Sequence, residues 1–440
     1  MLRLSAATSL ALLCFSSLVD ALPATASAET TITGVFPSVT NADGSVNPGL
    51  FRRNVAQTFA KYDFTPRAKS SLIERPQKRT KGGFGKKKKR CTAGCEASIT
   101  LDMITQEPAV GEYTADVSFG TPAQTLPLIF DTGSSDVFVQ DSCAQGAGCS
   151  GNFDPSKSST FNDTGATSSL SYVSDTVNGR IVSDTVTLAG KTIDRQEFLV
   201  VPDSHTPGAS GNMGFGLNAQ SNSKIGTTLL ENLRSSGQLG PENSFSLRYH
   251  RSTNTATVTL GAPMLTAMNQ VQSVQYPELL GRWALNLRDL GNQKAFWNGS
   301  VTVFMDTGST VSFLPRSAAK VAHATVETHI ETIQLPLQGK TYDVDYYFFP
   351  CDTPPSYILN FGPAPRRTFP YWSDTRDAAV GTAENGMCQS ALNGVDVEYG
   401  GLRAGILGAP WLKNQYLTFG AGSDLSNTGA AIGVFPNTEE

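Results

Sequence analysis

Histidine is scarce: the 440-residue chain has four, and no H-E-x-x-H occurs. Zinc chemistry built on clustered imidazoles is therefore excluded as a first reading, and neither a metal nor an organic cofactor is expected. No G-x-S-x-G is present, which removes the nucleophile-elbow serine hydrolases. The stretch "GGFGKKKK" lacks the glycine spacing of a phosphate-binding loop. Beyond the first 28 residues no apolar run approaches the ~18 residues a membrane helix needs, and the terminal "AAIGVFPNTEE" has no hydrophobic tail for a lipid anchor. Helical periodicity is also rare. The spacing predicts short helices only at Thr227–Ser235 and Ser317–Thr328, besides one near the N-terminus.

What is present is β-rich. From Ser98 onward short alternating runs such as "EYTADVSFGTPAQTLPLIF", "GRIVSDTVTLAG", "NTATVTLGAP" and "QYLTFGAG" are cut by Gly, Pro, Asn and Asp. The fold class expected is mainly β.

The N-terminal region reads as a targeting and processing segment. Residues 1–28 combine Arg3, an apolar stretch Leu4–Val19 and the small-residue site Ala26-Ser27-Ala28, with Ala21 as the alternative cleavage point. Residues 29–90 follow as a basic pro-segment. Fourteen Lys or Arg lie between Arg52 and Arg90, ending in "GKKKKR", whereas the chain beyond Arg90 has 19 basic against 33 acidic residues, a net −14. A basic run before an acidic domain, behind a signal segment, reads as a convertase cleavage site at Arg90. It offers no aromatic platform or motif for nucleic acid. A basic segment can lie over an acidic cleft and leave when acid protonates the cleft. In "GLFRRNVAQTFAKYDFTP" the positions Phe51, Val55, Phe59 and Tyr62 share one helical face and predict a docked pro-helix.

Six cysteines remain after Cys14 leaves with the signal: Cys91, Cys95, Cys143, Cys149, Cys351 and Cys388. An even number in a secreted chain favours disulfides, with fifteen pairings open. Sequence neighbours suggest 91–95, 143–149 and 351–388. Asn162-Asp-Thr and Asn298-Gly-Ser are N-glycosylation sequons, in keeping with a secreted or vacuolar glycoprotein.

One motif occurs twice. Residues 129–140 read "IFDTGSSDVFVQ" and residues 304–315 read "FMDTGSTVSFLP". "VTVFMDTGSTVSFLP" (Val301–Pro315) reads as a buried strand with a carboxylate in its middle, and an apolar frame tolerates Asp306 only if it is neutral or partnered. Each copy is followed by a second signature, "GNMGFGL" about 80 residues on and "AGILGAPWL" about 100 on. A repeat near 175 residues is too long for a solenoid and implies two similar lobes, each supplying one aspartate: Asp131 and Asp306. The lobes are placed at 91–265 and 266–440.

On these motifs, with "GTPAQ" (Gly120–Gln124) ahead of the first, the chain from about Ile99 to Asn437 resembles the pepsin-like aspartic proteases of the secreted fungal type. The resemblance implies a bilobal fold of two β-barrel-like lobes with a cleft between them. It also implies endopeptidase activity at acidic pH, made as a zymogen and acting on protein or peptide as a monomer. Asp131 and Asp306 would share a proton and activate a water, the only small molecule the chemistry needs. Thr132 and Thr307 would bond across the interface to the opposite lobe's backbone, and Gly133 and Gly308 would permit close approach. Ser134 and Ser309 would donate to the outer carboxylate oxygens. The Cys143/Cys149 and Cys351/Cys388 pairs fall where the family carries disulfides.

Tyr172 aligns with the tyrosine of the flap, the hairpin that closes over substrate. The chain departs from the family there. Val173 and Asp175 replace glycines, and Phe138 stands in for a tryptophan that bonds the tyrosine hydroxyl, which phenylalanine cannot do. Ile129, Tyr172 and Phe138 would line a pocket preferring bulky apolar substrate residues. The alternative is an inactive relative that binds a protein or glycan through its cleft. The altered flap favours it, and the two intact Asp-Thr-Gly-Ser motifs oppose it.

Overall fold

Among the described residues two thirteen-stranded sheets carry the fold, and each is built around one copy of the duplicated motif. The computed structural model describes residues 41, 43–66, 96–103, 112–142, 151–172, 175–202, 209–217, 225–262, 271–274, 281–337, 339–361, 371–373, 375–383, 386–422 and 429–437. These lie in the unit Ile32–Glu440. The signal segment 1–28, the basic run ending at Arg90 and Cys91, Cys95, Cys143 and Cys149 lie outside the described residues.

Alternation decides where the strands go. Thr255–Leu260 buries every second side chain, and Tyr113–Phe119 and Gln124–Asp131 put Tyr113, Ala115, Val117, Phe119, Leu128 and Phe130 into the core. The two strands form a hairpin, with Thr114 opposite Ile129 and Phe119 opposite Gln124. Aromatic rings fill the lobe interior: Phe245 stacks on Phe419 at 4.7 Å and meets Phe215 edge-on at 5.0 Å.

The same crossing motif appears in both sheets. Strand Gly211–Gly214 runs parallel to Gln124–Asp131, with Asp131 opposite Gly214, and antiparallel to Val137–Ser142. In the second sheet Leu402–Leu407 runs parallel to Phe296–Met305, with Met305 opposite Leu407, and antiparallel to Ser312–Leu314 through Phe313 and Ile406. Each following signature, "GNMGFGL" and "AGILGAPWL", is thus the strand that passes between the two arms of its Asp-Thr-Gly turn. The glycines make room: a Cβ on Gly214 would lie 2.5 Å from the Asp136 nitrogen, and one on Gly408 2.3 Å from the Val311 carbonyl.

Three details differ from the sequence reading. Asp306 is not mid-strand, because Phe296–Met305 ends one residue before it and the chain turns before Ser312–Leu314. The second short helix spans Arg316–Ala322 and stops at His323, whose buried ring stays within the turn, Nδ1 lying 2.8 Å from the Ala319 carbonyl. The boundary at 265/266 also does not divide the sheets. Val271–Ser273, Gln415–Gly420 and Ala431–Pro436 belong to the sheet of the first lobe, where Gln415–Gly420 pairs with Ser244–His250. A sheet that must bury the seam between two lobes takes strands from both.

Residues Pro48–Tyr62 form the predicted helix. Asn47 caps it by accepting from Gly49 and Leu50, and Asp63 ends it in the left-handed region at φ 44°. Its apolar face packs into the second lobe. Phe51, Val55, Phe59 and Tyr62 are buried, with Phe59 edge-on to Phe313 at 4.9 Å and Phe51 to Tyr346 at 5.1 Å. Thr65–Pro66 then adds a short strand to the second sheet beside Val397–Tyr399. Cys351 and Cys388 form a disulfide, as expected.

Candidate active site

Each Asp-Thr-Gly turn is held by the other lobe. The Thr132 hydroxyl donates to the Met305 carbonyl at 2.7 Å and accepts from the Thr307 N–H at 3.1 Å. Symmetrically, the Thr307 hydroxyl donates to the Phe130 carbonyl at 2.6 Å and accepts from the Thr132 N–H at 3.0 Å. These four bonds are buried, so each fixes one turn against the other in a low-dielectric interior. Gly133 and Gly308 donate to the inner oxygens of Asp131 and Asp306, at 2.9 and 3.0 Å. A Cβ on Gly133 would meet Asp306 Oδ1 at 2.4 Å, and one on Gly308 would meet Asp131 Oδ1 at 2.6 Å. Each glycine therefore clears space for the opposite lobe's carboxylate.

The serines do not follow the same symmetry. Ser134 donates to Asp131 Oδ2 at 2.5 Å and accepts from Asn212 at 3.0 Å. Ser309 instead donates to the Val311 carbonyl at 2.8 Å and lies 3.3 Å from the Thr58 hydroxyl of the helix. The expected bond from Ser309 to Asp306 is not formed, because the Tyr62 hydroxyl donates to Asp306 Oδ2 at 3.0 Å.

Lys61 lies on both carboxylates. Its ammonium is 3.0 Å from Asp131 Oδ1, 3.2 Å from Asp306 Oδ1 and 3.0 Å from the Gly308 carbonyl. Burial works against that charge, but the two aspartates outweigh it and hold the ammonium above the ordinary lysine range. The aspartates respond unequally. Burial pushes both up. At Asp131 the Lys61 charge and the Ser134 hydroxyl win, and its carboxyl falls below the usual range. At Asp306 burial prevails over Lys61, reinforced by the Asp131 charge, and the group rises to about 6. One anionic and one protonatable carboxyl thus face each other. Glu112, beside them, is pushed up to about 7 by burial, with Lys61 opposing.

The other expected site residues lie as follows. Tyr172 ends strand Asn162–Tyr172 and pairs with Asp175 across a hairpin whose tip lies outside the described residues. Ile129 is buried with Ala209, apart from the main core. Phe138 is buried among Leu199, Val201 and Ile225. The sequon residues Asn162 and Asn298 are both exposed. Among the described residues no group of three or more His, Cys, Asp or Glu is placed to hold a metal ion.

Sequence reasoning missed three participants. Lys61 stood next to Tyr62 on the predicted helix, and its place among fourteen basic residues concealed it. Arg282, buried beside the Asp131 turn, and Glu112 carried no local signal.

The family description eukaryotic aspartyl protease matches residues 112–431. Among curated relatives, the chain is 27% identical over 333 residues to major aspartyl peptidase 1 of Cryptococcus neoformans var. grubii, covering 70% of this chain and 66% of the relative. It is 29% identical over 239 residues to rhizopuspepsin-1 of Rhizopus niveus (52% and 61%), and 28% over 235 to gastricsin of Homo sapiens (50% and 59%). The matched stretches span two thirds or less of these relatives' own length.

Proposed function

The chain belongs to the eukaryotic aspartyl protease family, and from that premise we propose that it is a secreted endopeptidase held as a zymogen by its own residues 48–66. The observation that carries the reading is the single ammonium of Lys61 bridging Asp131 and Asp306, which brings two carboxylates from two duplicated turns to one point. Sharing of one proton between two such groups is the aspartic-protease dyad itself, the type case of like charges splitting their pKa values. Once Lys61 leaves, a water takes its place. The anionic carboxylate accepts a proton from that water as it attacks the peptide carbonyl, and the protonated one donates to the developing oxyanion. No covalent intermediate is needed.

The same contacts support the zymogen reading. Lys61 neutralises the dyad, Tyr62 covers the outer oxygen of Asp306, and the helix fills an aromatic groove of the second lobe. Secretion rests on the signal-like residues 1–28, and no helix among the described residues is long and apolar enough to cross a membrane. The exposed Asn162 and Asn298 are accessible for glycosylation, and the basic run to Arg90 is a processing site for a convertase. The protein acts as a monomer, with preference for bulky apolar residues. Both intact Asp-Thr-Gly-Ser turns weigh against a purely binding role.

The test is to express the full chain, acidify it and measure pepstatin-sensitive peptide cleavage for wild type, Asp131→Asn and Asp306→Asn. Each substitution is expected to lower kcat about a thousandfold, the scale of lost general acid–base catalysis. Undiminished activity in either variant would overturn the shared dyad.

A further inference from the structure

We propose that Arg282 selects a substrate carboxylate beside the scissile bond, as a specificity-determining residue of the active enzyme. The inference rests on the endopeptidase reading above. Arg282 is 3% exposed, yet among the described residues no carboxylate forms an ion pair with it. Its Nη1 donates to the Gly133 carbonyl at 2.7 Å, which pins the guanidinium to the turn of Asp131. Its Nη2 donates to the Lys61 carbonyl at 3.0 Å, and its Nε is buried with no partner. Its Cζ lies over the Tyr62 ring, 4.3 Å from the centre, with the Tyr399 and Phe304 rings further off at 5.0 and 5.8 Å. Two of its neighbours, Lys61 and Tyr62, therefore belong to the segment that leaves on activation.

A buried arginine without an anion is costly, and an unpaired buried donor adds to that cost. Departure of the pro-segment frees Nη2 from the Lys61 carbonyl beside the unpartnered Nε, and these two form the side-on fork whose spacing matches the two oxygens of a carboxylate. Because Nη1 stays on Gly133, that fork is held at the rim of the dyad, where a residue flanking the scissile bond must pass. An aromatic substrate side chain could take the place of the Tyr62 ring, but it would leave both N–H groups of the fork unpaired. Glutamate or aspartate satisfies them.

The experiment uses acid-activated full-chain protein and peptides that differ only by Glu, Gln or Phe at each residue flanking the cut. At pH 5 a free glutamate, with a pKa of about 4.3, is largely ionised. Wild type is expected to favour Glu over Gln in kcat/KM by about tenfold at one position, the scale of one charge-assisted hydrogen-bond pair. Arg282→Gln should bring that ratio to about one, and Arg282→Lys, which keeps the charge but lacks the fork, should retain only part of it. A wild-type Glu-to-Gln ratio near one at both flanking positions, or an unchanged ratio in the variants, overturns the proposal. If Arg282→Gln does not fold, Arg282→Lys decides. If wild type cleaves none of the peptides, the endopeptidase reading has failed. Fluorescence anisotropy with the same Glu and Gln peptides then still decides for or against Arg282.

Discussion

On the latch proposed above, replacing Lys61 with methionine should release activity at a pH where the wild type is silent. The apolar contacts of the helix, through Phe51, Val55, Phe59 and Tyr62, are indifferent to pH. The acid response must therefore reside in charges, and the sign is set by Asp131. Its carboxyl lies below the ordinary value in the closed form, so the Lys61 pair is fully present above about pH 3.9 and is lost as pH falls through the depressed value. Asp306 responds differently. Its rise to about 6 comes first from burial and is opposed by Lys61, so it originates in the dyad's own surroundings. Lys61 stays charged throughout. Wild type should accordingly open only below about pH 4. Removing one partner of a buried ion pair costs about 3–5 kcal/mol. Lys61 keeps 12% of its side chain exposed, which favours the lower end, about 3 kcal/mol or roughly a hundredfold in the closed-to-open ratio. Methionine preserves the stem's volume, and the two aspartates can still share a proton without the ammonium. The assay is initial cleavage of a quenched fluorescent peptide by full-chain protein between pH 3 and 7, read in the first minute to exclude slow processing. Lys61→Met should show activity at pH 5.5 and a shallower onset. If it stays as silent as wild type down to pH 4, with the same onset, Lys61 is not the latch.

Three further outcomes follow from the same contacts. Gly308→Ala would put a methyl group 2.6 Å from Asp131 Oδ1 and 2.7 Å from the Lys61 nitrogen, so the dyad must shift. A loss of at least about a hundredfold in kcat is expected from such a displacement, measured after acid activation. Thr132→Val removes the donor to Met305 and the acceptor for Thr307 while keeping the shape. Leaving those two buried groups unpaired should lower unfolding stability by about 2–4 kcal/mol, read from urea melts. His323 is buried against Tyr347, and burial lowers its pKa to about 4. The stability it contributes is full above its ordinary value of 6.5 and disappears as pH falls toward about 4, a loss of about 3 kcal/mol. His323→Gln should therefore flatten the fall in melting temperature between pH 7 and pH 4, and an unchanged slope would contradict the assignment.

How far the site could be read from the sequence depended on whether a residue's role is local. Asp131 and Asp306 were legible because a carboxylate in an apolar frame needs a partner, and the repeat supplied one 175 residues away. Gly133 and Gly308 followed, since only a missing side chain lets each turn approach the opposite carboxylate. The helix was legible because Phe51, Val55, Phe59 and Tyr62 recur at its own period. Ser309 shows where local likeness stops: it occupies the same motif position as Ser134, yet Tyr62 holds the oxygen it was expected to bind and Thr58 packs against its hydroxyl. Two identical quartets thus acquired different partners because the helix sets Lys61 on both aspartates but Thr58 and Tyr62 against the second quartet alone. Arg282 lay further out of reach. Its place is defined by the Gly133 carbonyl, 149 positions earlier, and by Lys61, 221 positions earlier, contacts that leave no periodicity or spacing in the chain. The duplicated motif determines what chemistry the cleft can do, whereas Lys61 and Arg282, proposed above to decide when it acts and on what, are single residues. Those residues become visible only once the two lobes and residues 48–66 are placed together.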